Sequence, residues 1–137
     1  PDISGQTIEA FASSTCIFSR EPYDIDAVVE DADIVICHGG HDTAAAALMA
    51  GKPVLIAPMQ AEQAMLGARI EKAGLGVAMN HQATVDEISS RLIRLMDEDG
   101  PMLRATEFAG QYSEFSNPKP VERVVARCLD LVNQRIE

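Results

Sequence analysis

The 137-residue sequence has the length of one domain, and its 47% of hydrophobic residues is typical of a soluble globular chain. Its 21 acidic residues against 11 basic ones give a formal net charge of -10, which disfavours nucleic acid and anionic membranes as partners. No apolar run approaches the roughly 20 residues needed to span a bilayer, and no signal peptide is apparent. We therefore expect a cytoplasmic protein.

The first half of the chain alternates strands and helices. Strands are predicted at residues 16 to 19, 33 to 37, 53 to 57 and 76 to 79, and helices at 24 to 31, 42 to 50 and 61 to 73. The second and third strands are unbroken apolar runs, typical of parallel strands covered on both faces. The alternation predicts an α/β fold, a Rossmann-like parallel sheet with flanking helices. Gly51 and Gly74 each follow a helix, at positions suited to a left-handed cap.

Residues 84 to 137 are predicted to be a helical carboxy-terminal segment of a single domain that covers residues 1 to 137. Thr84 and Glu87 have the spacing of a capping box, and Val85, Ile88, Leu92 and Leu95 form a stripe expected to be buried. A second helix is predicted at about residues 101 to 115, and a third follows Pro118 and Pro120 with apolar residues at helical spacing. Because four strands are few for such a sheet, and "PDI" resembles the tail of another strand, we expect the chain to be part of a larger domain.

Sulfur-containing residues are predicted to fill the core. The three cysteines are odd in number and widely spaced among apolar neighbours, which indicates small core residues in a reducing compartment: Cys16, Cys37 and Cys128. Five methionines are interpreted in the same way, as core residues and not as part of a cofactor site: Met49, Met59, Met65, Met79 and Met96.

The stretch "CHGGHDT", residues 37 to 43, joins the second strand to the next helix. Gly39 and Gly40 allow the backbone to approach a ligand, and the free N–H groups of the following helix suit an anion such as phosphate. Thr43 and His38 offer further hydrogen bonds. The alternative is that the glycines only turn the chain and that Asp42 or Thr43 only caps the helix.

A second polar loop follows the third strand, at the edge of the sheet where the first loop also starts. It contains Gln60, Glu62 and Gln63, whose amides and carboxylate suit the hydroxyl groups of a sugar or another polyol. The alternative for Glu62 is that it only complements the helix dipole.

Metal and nucleophile chemistry are less well supported by these residues. His38, His41 and Asp42 have side chains that zinc accepts, but a glycine turn without a second ligand group argues against a metal site. His81 is predicted to lie in a loop at the end of another strand. No serine-centred elbow or cysteine–histidine pairing is visible, so a hydrolase is not favoured.

Residues 32 to 79, "ADIVICHGGHDTAAAALMAGKPVLIAPMQAEQAMLGARIEKAGLGVAM", resemble the donor-binding signature of family 1 glycosyltransferases with the GT-B fold, and most of all the bacterial enzymes that glycosylate macrolides and other natural products. In that signature "HGG" plus a small residue, Gly or Asn, and then Ser or Thr precede "AL..G.P....P...DQ..NA..v...G.G". The ordered match includes Gly51, Pro53, Pro58, Gln63, Ala68, Gly74 and Gly76.

The resemblance implies a role for each loop. The diphosphate of a UDP-sugar or dTDP-sugar donor would be held by His38, Gly39, Gly40 and Thr43. Glu62, where the family usually has Asp, and Gln63 would bind the donor sugar, and Tyr23 in the "REPYD" loop would lie at the nucleotide base. Further positions depart from the family pattern: Asp42 replaces Gly or Asn, and Ala46 replaces a Glu that binds ribose in many members. Arg20 and Tyr23 also do not reproduce the Trp and Gln of the plant signature.

The resemblance also implies the function. We expect the carboxy-terminal, nucleotide-sugar-binding part of an inverting glycosyltransferase, independent of metal and cofactor, that transfers a hexose to a hydroxyl of a small-molecule or lipid acceptor. The acceptor site and the general base would lie in a missing amino-terminal domain, so the isolated chain is expected to be inactive. Alternatives are the donor subunit of a split transferase, a non-catalytic nucleotide-sugar-binding module, and a sugar-nucleotide epimerase. A homodimer is left open.

Overall fold

A computed structural model describes residues 3–80, 82–97, 99–115 and 119–134. Three short strands are interleaved with helices, and only helices follow the third strand in the described part of the chain. The elements are, in chain order, α1 Gly5–Phe11, α2 Ile25–Asp31, β1 Val35–Cys37, α3 His41–Met49, β2 Val54–Ile56, α4 Ala61–Ala73, β3 Gly76–Ala78, α5 Val85–Leu95, α6 Pro101–Gln111, a 3-10 helix Ser113–Phe115 and α7 Lys119–Asn133.

The strands form one parallel sheet in the order β1-β2-β3. Val35 pairs with Val54 and Val54 with Gly76, so the three carboxyl ends lie side by side at one edge. The predicted α/β class with a parallel sheet is confirmed. Three of the four predicted strands form, within the predicted runs.

The predicted strand at residues 16 to 19 is wrong, because these residues lie in neither a helix nor a strand. Ile17 is 81% exposed, so its apolar side chain has no sheet to pack on. Instead, the Ser13 hydroxyl accepts a hydrogen bond from the backbone N–H of Cys16 at 3.0 Å. A serine that bonds the nearby backbone offers the chain a local turn in place of a strand ladder.

The first described residues, from Ile3 on, do not form a strand either. Pro1 and Asp2 lie outside the described residues, and Ile3 is exposed. The short helix α1 follows, with Ser4 as its N-cap and without a buried residue. The predicted strand tail at "PDI" is therefore not seen in the part that the structure describes.

The core lies on both faces of β2. On one face Val54 and Ile56 pack with residues of α2, α3, α4 and α6, and on the other face Leu55 packs with Val77 and with Leu95 of α5. β1 is less well covered than predicted, since Ile36 is 58% exposed. Ile36 is in register with Leu55, and the helix on that face, α5, packs on β2 and β3.

The predicted helix ends are confirmed where local signals define them. Gly51 and Gly74 have φ of 75° and 73°, as a left-handed cap requires. At the start of α5 the backbone N–H of Thr84 donates to Glu87 Oε2 at 2.7 Å, and the Glu87 N–H donates to Thr84 Oγ1 at 3.3 Å. The predicted α5 stripe is confirmed at Leu95, which is fully buried, but not at Val85, which is exposed in the first turn.

Several residues predicted in the core are exposed. Cys37 is half-buried, but Cys16 and Cys128 are exposed. The predicted core position is also wrong for Met59, Met65 and Met96. The last predicted helix forms as α7, and its apolar residues are exposed as well: Val121, Val124, Val125, Cys128, Leu129 and Val132. Burial of these residues was predicted from their apolar side chains alone. An apolar side chain is buried only where another part of the protein packs against it, and the residue type does not show whether such a partner is present.

None of the helices in the described ranges is long and apolar enough to cross a bilayer.

Candidate functional site

Two loops leave the carboxyl edge of the sheet next to each other. The first connects β1 to α3 and the second connects β2 to α4. Cys37 and Ile56, the last residues of the two strands, are register partners, and the Ala57 N–H donates to the Cys37 carbonyl at 2.8 Å. The predicted common edge of the two loops is thereby confirmed. In parallel α/β sheets this edge is where ligands bind.

Gly39 allows the two loops to pack together. Its φ of 91° lies in the left-handed region, and a Cβ at this position would lie 2.9 Å from Ile56 Cγ2 and 3.3 Å from Gln63 Cβ. A side chain would therefore meet both β2 and α4. Gly39 is buried, and the absence of a side chain at this position lets the first loop pack against the start of α4.

The amino terminus of α3 presents backbone donors at this edge. Gly40 is the N-cap, and no side chain bonds to the cap. The first helical hydrogen bond runs from the Ala44 N–H to the Gly40 carbonyl, so the amides of His41, Asp42 and Thr43 precede it. Such amides, together with the helix dipole, bind anions.

Asp42 does not cap α3, contrary to one of the sequence-based alternatives. It is the acidic residue of the first helical turn and is exposed. There the carboxylate interacts favourably with the helix dipole, but it carries the same sign of charge as a phosphate that would bind the same amides. Thr43, the other candidate cap, is half-buried in the same turn and does not cap the helix either.

His38 lies beside the start of α3. A Cβ added to Gly40 would lie 3.2 Å from His38 Nε2, so Gly40 leaves room for the imidazole ring. The ring is exposed. The imidazole ring is therefore next to the helix start that presents these amides.

The second loop is organised by Gln63. Its Oε1 accepts hydrogen bonds from the backbone N–H groups of Met59 at 2.8 Å and Gln60 at 3.2 Å. The amide oxygen of Gln63 therefore stabilises the start of α4, and its amide nitrogen is the group left to donate to a ligand. This capping role was not predicted, although the spacing of Gln60 and Gln63 is that of a capping box.

A contact between an imidazole and a carboxylate also joins the two loops. His41 Nδ1 lies 3.6 Å from Glu62 Oε1, and the two side chains are 66% and 76% exposed. From the sequence, His41 was considered only as a member of a metal cluster, which the glycine turn argued against. Spacing along the chain could not have revealed this pair, because its members are in different helices.

Cys37 precedes the first loop and does not have the features of a nucleophile. Burial raises the pKa of its thiol, and a hydrogen bond from the backbone N–H of Gly39 offsets part of that rise. The thiol form is therefore favoured near neutral pH.

The remaining candidates are less well placed. Tyr23 is exposed, directly before Asp24, the N-cap of α2, and its contact with a nucleotide base stays a prediction. His81 lies outside the described residues. Within the described ranges no three His, Cys, Asp or Glu side chains are arranged to hold a metal ion.

Two surface clefts lie at opposite ends of the sheet. A cleft of about 300 Å³ at the carboxyl edge is lined by Pro58, Met59, Gln60, Ala61, Ala64, Met79 and Asn80. A larger one, of about 510 Å³, is lined by Ala73, Leu75, Asp99, Leu103, Arg104, Glu107, Phe108 and Gln111. Leu75 precedes β3, so the larger cleft lies away from the two loops. The smaller cleft adjoins the second loop and is the better candidate for a ligand.

Comparison with known proteins gives one family match over most of the chain. Residues 22–131 match the family described as "Erythromycin biosynthesis protein CIII-like, C-terminal domain". The UDP-sugar-dependent glycosyltransferase 52 of Dictyostelium discoideum is 34% identical over 87 residues, which are 63% of this chain and 5% of that protein.

Solved structures share the fold. The spinosyn rhamnosyltransferase SpnG superimposes with a TM-score of 0.69 at 19% identity, over 88% of this chain and 34% of that chain. The glycosyltransferase VinC, solved in complex with dTDP, superimposes with a TM-score of 0.67 at 21% identity, over 79% of this chain and 28% of that one. The chain thus spans about a third or less of each of these proteins.

Proposed function

Because the chain belongs to the family of erythromycin biosynthesis protein CIII-like carboxy-terminal domains, which are parts of family 1 glycosyltransferases, we propose that it binds the nucleotide diphosphate sugar donor of such an enzyme. The predicted resemblance to this family and to the GT-B fold is confirmed. The observation that carries the proposal is the position of the α3 amino terminus: its free amides and the His38 ring lie at the carboxyl edge of the sheet.

The donor diphosphate binds at the first loop in this proposal. The amides of His41, Asp42 and Thr43 donate to phosphate oxygens, the Thr43 hydroxyl adds a further bond, and Gly39 and Gly40 keep the loop close to the ligand. His38 donates from its ring. These groups favour the extra negative charge that develops on the diphosphate as it leaves the sugar, so they assist transfer without a metal or another cofactor.

The sugar binds at the second loop. Glu62 accepts hydrogen bonds from sugar hydroxyls, and the amide nitrogen of Gln63 donates to one of them. Tyr23 lies at the nucleotide base. The proposal for the sugar site is supported by the shared edge of the sheet, from which both loops start.

The whole enzyme, as we propose it, is an inverting hexosyltransferase located in the cytoplasm. A base in an acceptor-binding domain deprotonates the acceptor hydroxyl, which attacks the anomeric carbon opposite the leaving diphosphate. The dTDP bound to VinC and the name of the Dictyostelium relative make dTDP-sugars and UDP-sugars the donors to test first.

The test is calorimetric titration of UDP and dTDP, with and without glucose attached, into the chain and into its His38→Ala variant. We expect at least one of these ligands to bind, and the substitution to weaken its binding by about ten-fold, which corresponds to about 1.4 kcal/mol. The proposal fails if none of the four ligands binds or if the variant binds all of them as the parent does.

One observation favours a second candidate, a nucleotide-sugar-binding module without transferase activity. Asp42 places an exposed carboxylate in the helical turn that would hold the diphosphate, where the two negative charges repel each other. The carboxylate does not turn away to cap the helix, because the N-cap is Gly40. A module of this kind binds the donor, but the full-length protein that contains it transfers no sugar. Donor turnover by that protein in the presence of acceptors distinguishes the two candidates.

A further inference from the structure

The contact between the imidazole of His41 and the carboxylate of Glu62 joins the two loops of the site. His41 is the first residue of α3 and Glu62 the second residue of α4, and the two helices follow neighbouring strands. The contact joins His41 Nδ1 to Glu62 Oε1 at 3.6 Å. The Glu62 side chain is 76% exposed, so its carboxylate keeps the capacity to accept hydrogen bonds from a ligand.

Fold stability does not account for this pair. Both side chains are more than half exposed, and ion pairs between exposed side chains contribute little to the free energy of unfolding. A second pair, the exposed Arg94 with the partly buried Glu71, has the same separation of 3.6 Å and joins α5 to the last turn of α4, away from both loops. The His41–Glu62 pair differs from it in position, because it lies where the two candidate subsites meet.

We propose that His41 is a positioning residue that holds the Glu62 carboxylate toward the sugar half of the donor, an inference that rests on the proposed function. By orienting this carboxylate, His41 raises the affinity for the nucleotide sugar and leaves the affinity for the nucleotide diphosphate almost unchanged. The ratio of these two affinities is therefore the property that His41 controls, and a merely structural role would not change it.

The experiment measures this ratio with UDP, UDP-glucose, dTDP and dTDP-glucose as probes. In His41→Ala we expect the affinity for the better-bound nucleotide sugar to fall by about three-fold to five-fold and the affinity for its diphosphate to stay within about two-fold. His41→Gln, which can still donate to the carboxylate, should restore part of the loss. Arg94→Ala, which breaks the pair with Glu71, should change neither affinity.

A double-mutant cycle tests the contact itself. Glu62→Asp shortens the side chain by one carbon–carbon bond, about 1.5 Å, and withdraws the carboxylate from His41. In that background His41→Ala should have almost no further effect on either affinity.

Three results would overturn the inference. The first is that His41→Ala lowers the affinities for UDP and for UDP-glucose equally, as expected if the imidazole binds phosphate. The second is that His41→Ala has its full effect on affinity in the Glu62→Asp background, as expected if the contact is irrelevant. The third is that His41→Ala changes no affinity at all, as expected if His41 has no role. In each of these cases the nucleotide still binds and the proposed function stands, whereas the failure of every nucleotide to bind the parent chain overturns both.

Discussion

Gly39 is the residue on which the packing of the two loops depends most directly. In Gly39→Ala, an alanine must adopt a φ of 91°, which side chains disfavour. Its Cβ would also lie 2.9 Å from Ile56 Cγ2 and 3.3 Å from Gln63 Cβ. We expect a loss of about 1–3 kcal/mol in the free energy of unfolding, measured in urea, together with weaker UDP binding because α4 is displaced.

Gly110→Ala is the matched control. Gly110 is exposed near the end of α6, and a Cβ there meets nothing within 4 Å. This variant should be more stable by about 0.5–1 kcal/mol and should bind UDP normally. If Gly39→Ala behaves like Gly110→Ala, the loop does not have the packing described.

Asp42 is the residue least suited to an anion site. Its replacement by Asn removes a negative charge beside the amides of α3, so we expect UDP to bind more tightly by about 1 kcal/mol, or about five-fold. Asp26→Asn, at the same position in the first turn of α2, is the control. Both variants lose a little of the helix-dipole stabilisation, but only Asp42→Asn should change the calorimetric affinity. Equal or weaker UDP binding by Asp42→Asn would place the phosphate elsewhere.

Cys37 differs chemically from the other two cysteines. Burial raises the pKa of its thiol, which lowers the fraction of reactive thiolate, whereas Cys16 and Cys128 are exposed. Alkylation by iodoacetamide, followed by peptide mass spectrometry, should therefore modify Cys37 last. Modification of Cys37 before the other two would contradict the burial of the strand end.

At the level of elements, the capping box of α5 makes stability depend on pH. Hydrogen bonds from the Thr84 backbone and hydroxyl lower the pKa of the Glu87 carboxyl. A carboxyl whose pKa is lower in the folded state stabilises the fold at neutral pH, and this contribution is lost as the pH falls through the folded-state pKa. The difference in Tm between the parent and Glu87→Ala should therefore be largest near about pH 7 and shrink toward about pH 3.

Thr84→Ala provides an independent check on the same box. It removes the hydroxyl that donates to Glu87 and accepts from the Glu87 N–H, so its Tm difference should follow the same trend with pH. A Tm difference that is constant from about pH 7 to about pH 3 in both variants would show that the carboxylate does not act through the cap.

Elements defined by local chemistry were predicted well from the sequence. The box of Thr84 and Glu87 and the left-handed Gly51 and Gly74 depend on residues within a few positions of one another. The strand at residues 16 to 19 was not predictable in this way, because a strand also needs a partner strand. The predicted burial of the α7 stripe was wrong for the same reason. Helical spacing shows that one face of the helix is apolar, but it does not show whether another element packs against that face.

At the level of the whole molecule, the alternation of strands and helices and the resemblance of residues 32 to 79 predicted the fold class and the family, and both are confirmed. The sequence also predicted that two polar loops share one edge of the sheet. It could not predict that His41 meets Glu62, or that Gln63 Oε1 is used by the backbone of its own loop. Those contacts depend on how two helices pack, and a pattern along one chain does not contain that information.

The central claim is that the amino terminus of α3 binds a nucleotide diphosphate, and backbone amide NMR tests it most directly. With UDP or dTDP added to the isotope-labelled chain, the largest shifts should fall on the amides of residues 38 to 43, with smaller ones at residues 60 to 63. Uridine and thymidine, which lack phosphates, should leave the amides of residues 38 to 43 almost unchanged. Shifts centred instead on Leu103, Arg104 and Glu107 in the larger cleft, or no shifts at all, would contradict the account.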